Sequence, residues 1–413
     1  MADRAELDWT KALAGRAERM GASEIRELLK LLDQPGIVSF AGGIPDPALF
    51  PTQAIADSAA ALLADPASSA GALQYTASEG HRGLREWIVA AMGRMGVPCT
   101  LDNVVVTGGS QQGLDFLGKL LIGPGDTMLV TSPTYLGALQ AFNPYEPRYD
   151  RLDLEGNMTP AGYRESAGAG RIAAAYVVPD FANPTGESMP EATRIALLDL
   201  CAGLDIPLIE DAAYTALRFE GEAIPSCMAL DVARQGGIEA SRVVYCGTFS
   251  KTVAPGLRVG WICAASALVH KVVLAKQAAD LHSSSLSQAI LHRVVADGYD
   301  AQLRRVVDTY AERRTAMVGA LARHMPANVR WTEPHGGMFV WVTLPEGMDG
   351  AALLARAIEE EKIAFVPGAA FHADGTGRNT IRLSYSLQPE AVVDDAMARL
   401  AGLIARMGDG GGR

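Results

Sequence analysis

The sequence predicts an α/β protein: a large domain with a mostly parallel β-sheet between two layers of helices, and a smaller α+β domain. Short apolar runs alternate with amphipathic helical segments through the first two thirds of the chain. This alternation is typical of parallel strands joined by crossover helices. From about Ser284 the pattern becomes long and helical, and strands of alternating polarity follow it. That change of pattern predicts the second domain.

The predicted elements follow in a regular order. The predicted strands of the large domain include NVVVTGG, DTMLVTSPTY, RIAAAYVVPDFANPTG, IPLIEDAAY and VVYCGTFSK. The predicted helices are SEIRELLKLL, residues 55–63, GLREWIVAAMGRMG, SQQGLDFLGKLLIG, YLGALQAF, PEATRIALLDLCAGLD, residues 284–323 and GAALLARAIEEE, while GGMFVWVTL and NTIRLSYSL are the late strands. This order places the large domain at residues 56–290, and the small domain at residues 1–55 with 291–413.

Composition narrows the class of function. With 413 residues, 49% of them hydrophobic, the chain can bury one large core and a second, smaller one. The net charge of −11 argues against nucleic acid or an anionic membrane as a partner. There is no apolar run near the ~20 residues of a membrane span, and the acidic N-terminus does not resemble a signal peptide. Five scattered cysteines without C-x-x-C spacing indicate a reducing compartment and no zinc site. We therefore expect a cytoplasmic protein without metal.

Polar side chains follow the predicted strands, at the edge where parallel sheets bind ligands. Gly108 to Gln111 opens a helix, where backbone N–H groups and the Ser110 hydroxyl favour a phosphate. Each residue alone has an ordinary explanation, such as a glycine turn, a turn at an Asn-Pro pair, a helix cap, a buried aromatic ring or a solvated lysine. Together they favour one shared crevice: Ser110, Tyr135, Asn183, Asp211, Tyr214 and Lys251.

This set of side chains suits pyridoxal 5′-phosphate, a flat ligand with a phosphate, a ring nitrogen, a phenolic oxygen and an aldehyde. A desolvated lysine near cationic groups has a lowered pKa and can form a Schiff base with an aldehyde. A buried aspartate can keep the ring nitrogen protonated, so that the ring withdraws electrons. An aromatic side chain can stack on the ring. Arg258 is a natural partner for the phosphate.

These motifs make the sequence resemble the fold-type I pyridoxal-phosphate-dependent aminotransferases of class I/II. The motifs are NPTG at 183–186, D-x-x-Y at 211–214, and T-x-S-K-x-x-x-P-x-L-R-x-G-W from Thr248. The resemblance covers nearly the whole chain in the right order, and it implies a seven-stranded large-domain sheet. The N-terminal segment of the sequence, SEIRELLKLLDQPGIVSFAGGIPDPALFP, is similar to that of the 2-aminoadipate/kynurenine-type subgroup.

The resemblance implies a role for each matching residue. Lys251 would be the Schiff-base lysine and proton shuttle, and Asp211 would pair with the ring nitrogen. Asn183 and Tyr214 would contact the phenolic oxygen. Residues that would stack on the ring or hold its phosphate are Tyr135, Ser110, Gln111, Thr248, Ser250 and Arg258. The implied reaction moves an amino group between an L-amino acid and a 2-oxo acid by a ping-pong mechanism.

The substrate contacts are implied in the same way. Arg382 matches the arginine that clamps the substrate carboxylate, although strand alternation alone also allows a surface arginine on an edge strand. Tyr75 matches a tyrosine that reaches the phosphate of a neighbouring subunit, which would make the enzyme a homodimer. Gly43, Ser23 and Arg26 match the substrate pocket and its covering helix, although an arginine on a solvated helix face is the alternative for Arg26. Glutamate with 2-oxoglutarate is the expected second substrate pair.

Three other functions stay open at this point. The same fold and cofactor also support β-lyase, decarboxylase or racemase reactions, because substrate orientation decides the outcome. A non-catalytic pyridoxal-phosphate-binding regulator is disfavoured, because residues 1–35 are too short for a DNA-binding module and carry no basic cluster. A nicotinamide dehydrogenase is disfavoured because VVVTGGSQQG departs from G-x-G-x-x-G.

Overall fold

The computed structural model describes residues 7–21, 36–156 and 158–409. Its strands are β1 Val38–Ser39, β2 Val104–Thr107, β3 Thr127–Val130, β4 Arg148–Arg151, β5 Ile172–Val177, β6 Leu208–Asp211, β7 Val243–Thr248, β8 Gly260–Cys263, β9 Arg330–Trp331, β10 Phe339–Thr343, β11 Ile363–Ala364, β12 Val366–Pro367 and β13 Thr380–Ser384. Its α-helices are α1 Trp9–Ala12, α2 Thr52–Ala64, α3 Pro66–Leu73, α4 Arg82–Arg94, α5 Ser110–Leu121, α6 Leu136–Phe142, α7 Pro160–Ala167, α8 Glu191–Leu204, α9 Cys227–Gln235, α10 Ser266–Ala279, α11 Ser285–His324, α12 Gly350–Arg356 and α13 Glu390–Asp409.

The largest sheet has seven strands in the order β2-β8-β7-β6-β5-β3-β4. Neighbouring strands are parallel except where β8 pairs with β2 and β7. The predicted mostly parallel, seven-stranded sheet is therefore confirmed. Because β7 and β8 are antiparallel neighbours, the connection between them, residues 249–259, lies at the carboxyl edge of the sheet. This connection carries Lys251 and Arg258.

Apolar side chains of this sheet point to helices on both faces. One face packs on α5, α6 and α10, and its buried core includes Val105, Phe142 and Ile209. The other face packs on α4, α8, α9 and the first half of α11. Helices on both faces explain why whole strands such as VVVT and LIED are buried. The site therefore stands on rigid, buried strands.

A second apolar core surrounds a four-stranded antiparallel sheet in the order β12-β13-β10-β9. The second half of α11, with α12 and α13, covers this sheet. Strand β1 pairs in parallel with β11, which joins the N-terminal segment to the C-terminal third. The division into residues 56–290 and 1–55 with 291–413 stays a prediction, and α11 runs through its boundary.

No helix of residues 7–21, 36–156 and 158–409 is both long enough and apolar enough to cross a bilayer. The predicted helix SEIRELLKLL lies outside the described residues, and so do the predicted substrate contacts Ser23 and Arg26.

Candidate active site

A pocket opens at the carboxyl edge of the seven-stranded sheet, where β2, β3, β6 and β7 end. Its lining contains most of the predicted site residues: Ser110, Gln111, Tyr135, Val178, Asp211, Ala213, Tyr214, Thr248, Ser250, Lys251, Pro255 and Arg258. Side chains from five separate parts of the chain meet there because parallel strands align their carboxyl ends. The structure thus brings these residues together, while their individual roles stay predictions.

One wall of the pocket is a cradle of hydroxyl, amide and guanidinium groups. Helix α5 begins at Ser110, directly after Gly109, whose φ of 91° suits glycine. The Arg258 guanidinium donates from Nη2 to the Gly108 carbonyl oxygen at 3.0 Å. Thr248 Oγ1 donates to Ser250 Oγ at 2.9 Å. A helix N-terminus, hydroxyls and a guanidinium are the groups that bind a phosphate.

Lys251 lies next to this cradle. Its Nζ donates to the carbonyl oxygen of Gly43 at 2.9 Å and lies 5.8 Å from the centre of the Tyr214 ring. Burial, followed by the positive charges of Arg382 and Arg258, lowers the pKa of Lys251 to about 8, against the raising effect of the Asp211 charge. The amine therefore loses its proton far more readily than an exposed lysine does, which suits a nucleophile or a base.

Asp211 ends β6 and is 2% exposed. Its Oδ2 accepts a hydrogen bond from the Tyr176 hydroxyl at 2.9 Å, whereas its buried Oδ1 has no hydrogen-bond partner among the described residues. Burial raises the pKa of Asp211 to about 6, against the lowering effects of the Tyr176 hydrogen bond, the nearby backbone N–H of Ala213 and the Lys251 charge. A buried carboxylate oxygen without a donor is suited to a protonated ring nitrogen.

Asn183 links the ring pocket to Arg382. Its Oδ1 accepts from Arg382 Nη1 at 2.7 Å, and its Nδ2 donates to the Tyr214 hydroxyl at 3.3 Å. Arg382 is 1% exposed and lies on β13, between β12 and β10, so the alternative of a surface arginine on an edge strand is wrong. Its guanidinium carbon lies 4.3 Å and 4.9 Å from the ring centres of Phe339 and Phe371. The two rings fix the plane of the guanidinium.

Tyr135 and Gln111 form the opposite side of the pocket. The Tyr135 hydroxyl donates to Gln111 Oε1 at 3.3 Å, and Gln111 Nε2 donates to the Gly137 carbonyl oxygen at 2.6 Å. A Cβ atom at Gly137 would lie 2.3 Å from Cζ of Tyr135. Glycine at 137 is therefore what allows the Tyr135 ring to keep this position against the first turn of α6.

Gly43 and Tyr75 occupy different surroundings. A Cβ atom at Gly43 would lie 2.6 Å from Cζ of Phe339, so a side chain there would displace a ring that packs on Arg382. Tyr75 is 77% exposed and lies outside the pocket of its own chain, where its ring makes an edge contact with His282. The predicted role of Tyr75 in a neighbouring subunit stays a prediction.

Sequence reasoning missed Tyr176. This residue stands inside the apolar run IAAAYVV, and nothing in that pattern distinguishes it from a core aromatic residue. The strand register supplies the missing signal, because Tyr176 pairs with Ile209. Asp211 lies two residues after Ile209 on the same strand, so its side chain and that of Tyr176 point to the same face of the sheet.

The site fits pyridoxal 5′-phosphate on its own chemistry. Among the described residues no group donates a hydrogen bond to the buried Oδ1 of Asp211, the cradle around Arg258 suits a phosphate, and the Lys251 amine suits an aldehyde. Tyr135 and Tyr214 supply an aromatic face and a hydroxyl in the same pocket. Few other ligands combine a phosphate, an aldehyde and a ring nitrogen, which together would contact all of these groups.

Comparison with known proteins agrees with this chemistry. The model of the family described as aminotransferase class I and II matches residues 43–400. Aromatic-amino-acid aminotransferase 1 of Thermococcus litoralis is 40% identical, over 96% of this chain and 94% of its own length. The 2-aminoadipate transaminase of Thermus thermophilus is also 40% identical, over 95% of this chain and 96% of its own length.

A solved structure shows the same fold. The alpha-aminoadipate aminotransferase of Thermus thermophilus, complexed with N-(5′-phosphopyridoxyl)-L-leucine, superposes with a TM-score of 0.87 at 38% identity, over 97% of this chain and 99% of that one. Fold and pocket thus define a fold-type I enzyme that uses pyridoxal 5′-phosphate. The chain belongs to the aminotransferase class I and II family, in the aminoadipate, kynurenine and aromatic aminotransferase subgroup.

The raised pKa of Asp211 predicts a pH-dependent stability of the cofactor-free protein. A carboxyl whose pKa rises from about 3.9 to about 6 on folding stabilises the fold at low pH and loses that contribution as the pH rises through 6. Asp211→Asn removes this loss, so its free energy of unfolding relative to wild type should increase between pH 4 and pH 7.5, by up to ~3 kcal/mol. Urea unfolding of both proteins at a series of pH values measures this.

A suitable control is Asp205→Asn, because the side chain of Asp205 is 95% exposed. The effect of this surface substitution on the free energy of unfolding should stay within about 0.5 kcal/mol throughout the series. A difference between Asp211→Asn and wild type that stays constant from pH 4 to pH 7.5 would contradict the prediction.

Proposed function

We propose that this aminotransferase uses glutamate and 2-oxoglutarate as one substrate pair, and a 2-aminoadipate-like, aromatic or branched amino acid with its 2-oxo acid as the other. The observation that carries the assignment is the buried link Arg382–Asn183–Tyr214, which connects a carboxylate-binding guanidinium to the cofactor pocket. The names of the similar proteins support 2-aminoadipate and aromatic amino acids as candidate donors.

The residues that would hold the cofactor fall into three groups. Lys251 would form the covalent link, and Asp211 Oδ1 would accept from the ring nitrogen. Asn183 and Tyr214 would contact the phenolic oxygen, with Tyr135 against the ring. The phosphate would be held by Ser110, Gln111, Thr248, Ser250 and Arg258. When bound, pyridoxal 5′-phosphate supplies an electron sink for the negative charge that develops at the substrate Cα.

The protein's own groups move the proton and place the substrate. Lys251 Nζ, with its lowered pKa, accepts the proton from the substrate Cα as a general base. Arg382 binds the α-carboxylate through its fork of N–H donors, and Asn183 holds that fork in place. Gly43 lets the Phe339 ring, which packs on Arg382, approach the backbone closely, and its contact with the substrate stays a prediction. Ser23 and Arg26 stay predicted contacts to the substrate side chain.

We further propose a homodimer that shares its active sites and works in the cytoplasm. Tyr75 supports the dimer, because an aromatic side chain that is 77% exposed can reach a second subunit. The five free thiols support a reducing compartment. Sedimentation velocity tests the assembly, and a monomer at micromolar concentration would rule out the role of Tyr75.

A panel of amino donors with 2-oxoglutarate tests the substrate proposal. We expect glutamate to form together with the 2-oxo acid of the donor, most rapidly with 2-aminoadipate or an aromatic or branched amino acid. Without 2-oxoglutarate the reaction should stop after about one amino group per active site, as ping-pong chemistry requires. Mass spectrometry of both products measures this.

Two results of the panel would overturn the proposal. Release of carbon dioxide or ammonia without a new amino acid would favour a decarboxylase or lyase reaction. Turnover that is equally slow with every donor tested would remove the proposed substrate classes. Glutamate as the donor and 2-oxoadipate as the acceptor provide the matched reverse reaction.

A further inference from the structure

Tyr176 lies directly behind Asp211 in the seven-stranded sheet. It is fully buried on β5, and its ring makes an edge contact with Phe142 at a centroid distance of 5.8 Å. Its register partner on β6 is Ile209, so Tyr176 and Asp211 face the same side of the sheet. The Tyr176 hydroxyl donates to Asp211 Oδ2 at 2.9 Å.

This hydrogen bond leaves the two carboxylate oxygens in different states. Oδ2 is occupied by the hydroxyl, whereas Oδ1 has no partner in the described part of the chain. Both residues are shielded from water, and a buried hydroxyl or carboxylate that loses its partner is strongly penalised. The bond therefore also fixes the rotation of the carboxylate.

We propose that Tyr176 is a positioning residue, whose hydroxyl holds Asp211 Oδ2 so that Oδ1 faces the ring nitrogen of the cofactor and the negative charge stays on the carboxylate. The proposal rests on the role of Asp211 given under the proposed function. Tyr176 does not contact the reacting atoms itself, and it acts through the carboxylate.

Electrostatics gives the direction of the effect. Burial disfavours the charged form of Asp211, and the Tyr176 hydrogen bond favours it, so loss of the hydroxyl would raise the pKa of this carboxyl further. A carboxyl that holds its proton more firmly leaves the ring nitrogen less protonated. A less protonated ring withdraws electrons less well, and proton removal from the substrate Cα becomes slower.

The test is Tyr176→Phe in the holoenzyme reconstituted with pyridoxal phosphate carrying ¹⁵N in its ring. The chemical shift of the ring nitrogen reports its protonation directly. We expect the signal to move toward the unprotonated position, with kcat about 10- to 100-fold lower and KM nearly unchanged, as for a lost hydrogen bond to a charged group. Tyr245→Phe is the matched control, because this buried tyrosine lies on β7, which flanks β6 on the side away from β5, and packs on the opposite face of the sheet.

The possible outcomes separate the two hypotheses. If the ring nitrogen of the wild type is already unprotonated, the proposed role of Asp211 fails. If the wild-type nitrogen is protonated and Tyr176→Phe matches Tyr245→Phe in chemical shift and kcat, the role of Tyr176 fails. If Tyr176→Phe does not fold, 3-fluorotyrosine at 176 keeps the packing and donates more strongly. It should raise the pH at which the ring nitrogen loses its proton, and an unchanged pH midpoint would overturn the proposal.

Discussion

Lys251→Ala is expected to abolish the visible absorbance of the bound cofactor and to lower turnover by about 10⁴-fold. The variant would lose both the amine that we propose links to the cofactor and the base that we propose takes the Cα proton. The structure favours this lysine because its Nζ contacts a carbonyl oxygen and lies near two arginine charges that disfavour its proton. Absorption spectra and steady-state rates with the best donor measure both effects.

Two control variants sharpen this prediction. Lys271→Ala removes an exposed lysine of α10 and should leave both the spectrum and the rate unchanged. Lys251→Arg keeps a positive charge but supplies no neutral amine, so it should be as inactive as Lys251→Ala. Full turnover by Lys251→Ala, or a visible band that borohydride still bleaches, would show that another residue carries the link.

Lys276 is fully buried, whereas Lys251 is half-buried in the pocket, and the surroundings of Lys276 show why burial alone does not make a nucleophile. Its Nζ lies 3.2 Å from Asp280 Oδ1 and 2.8 Å from Ser283 Oγ. Burial lowers its pKa, but the adjacent Asp280 carboxylate raises it and favours the charged ammonium. Among the described residues no carboxylate lies within hydrogen-bond distance of Lys251 Nζ, so its surroundings favour the neutral amine instead.

Much of the pocket could be predicted from the sequence because of a rule of sheet geometry. Apolar runs mark buried strands, and the carboxyl ends of parallel strands share one edge, so Tyr135, Asp211 and Lys251 meet although they are far apart in sequence. The same reasoning reaches Ser110, because a glycine turn before a helix follows its strand directly.

The contacts that cross between elements could not be predicted from these patterns. Whether Arg382 lies on an edge or a central strand depends on the order β12-β13-β10, which no local pattern contains. The Tyr176–Asp211 bond depends on the register of two strands joined by a long connection.

Strand β4 and helices α7, α9, α10 and α13 are not among the predicted elements. The sequence of β4, RYDR, is polar and lies at a sheet edge, where the apolar signal of a buried strand is absent.

Arg382→Lys is expected to lower kcat/KM for α-amino acids by about 30- to 5,000-fold, chiefly through KM. The substitution keeps the positive charge that lowers the pKa of Lys251, and it removes the planar fork that can bind a carboxylate with two hydrogen bonds. It also removes the guanidinium plane packed between Phe339 and Phe371. Losing one partner of a buried charge pair costs about 2–5 kcal/mol, which corresponds to the stated range.

The comparison of two donors isolates the carboxylate contact. An amine that lacks the α-carboxylate should react equally slowly with wild type and Arg382→Lys, because the fork has nothing to bind.

Arg378→Lys is the matched control, since Arg378 precedes the same strand and its side chain is 77% exposed. The visible spectrum should be unchanged in both variants, which separates substrate binding from cofactor binding. An unchanged KM for α-amino acids in Arg382→Lys would place the carboxylate elsewhere in the pocket, and an equal loss with the simple amine would mean that Arg382 supports the fold of the site instead.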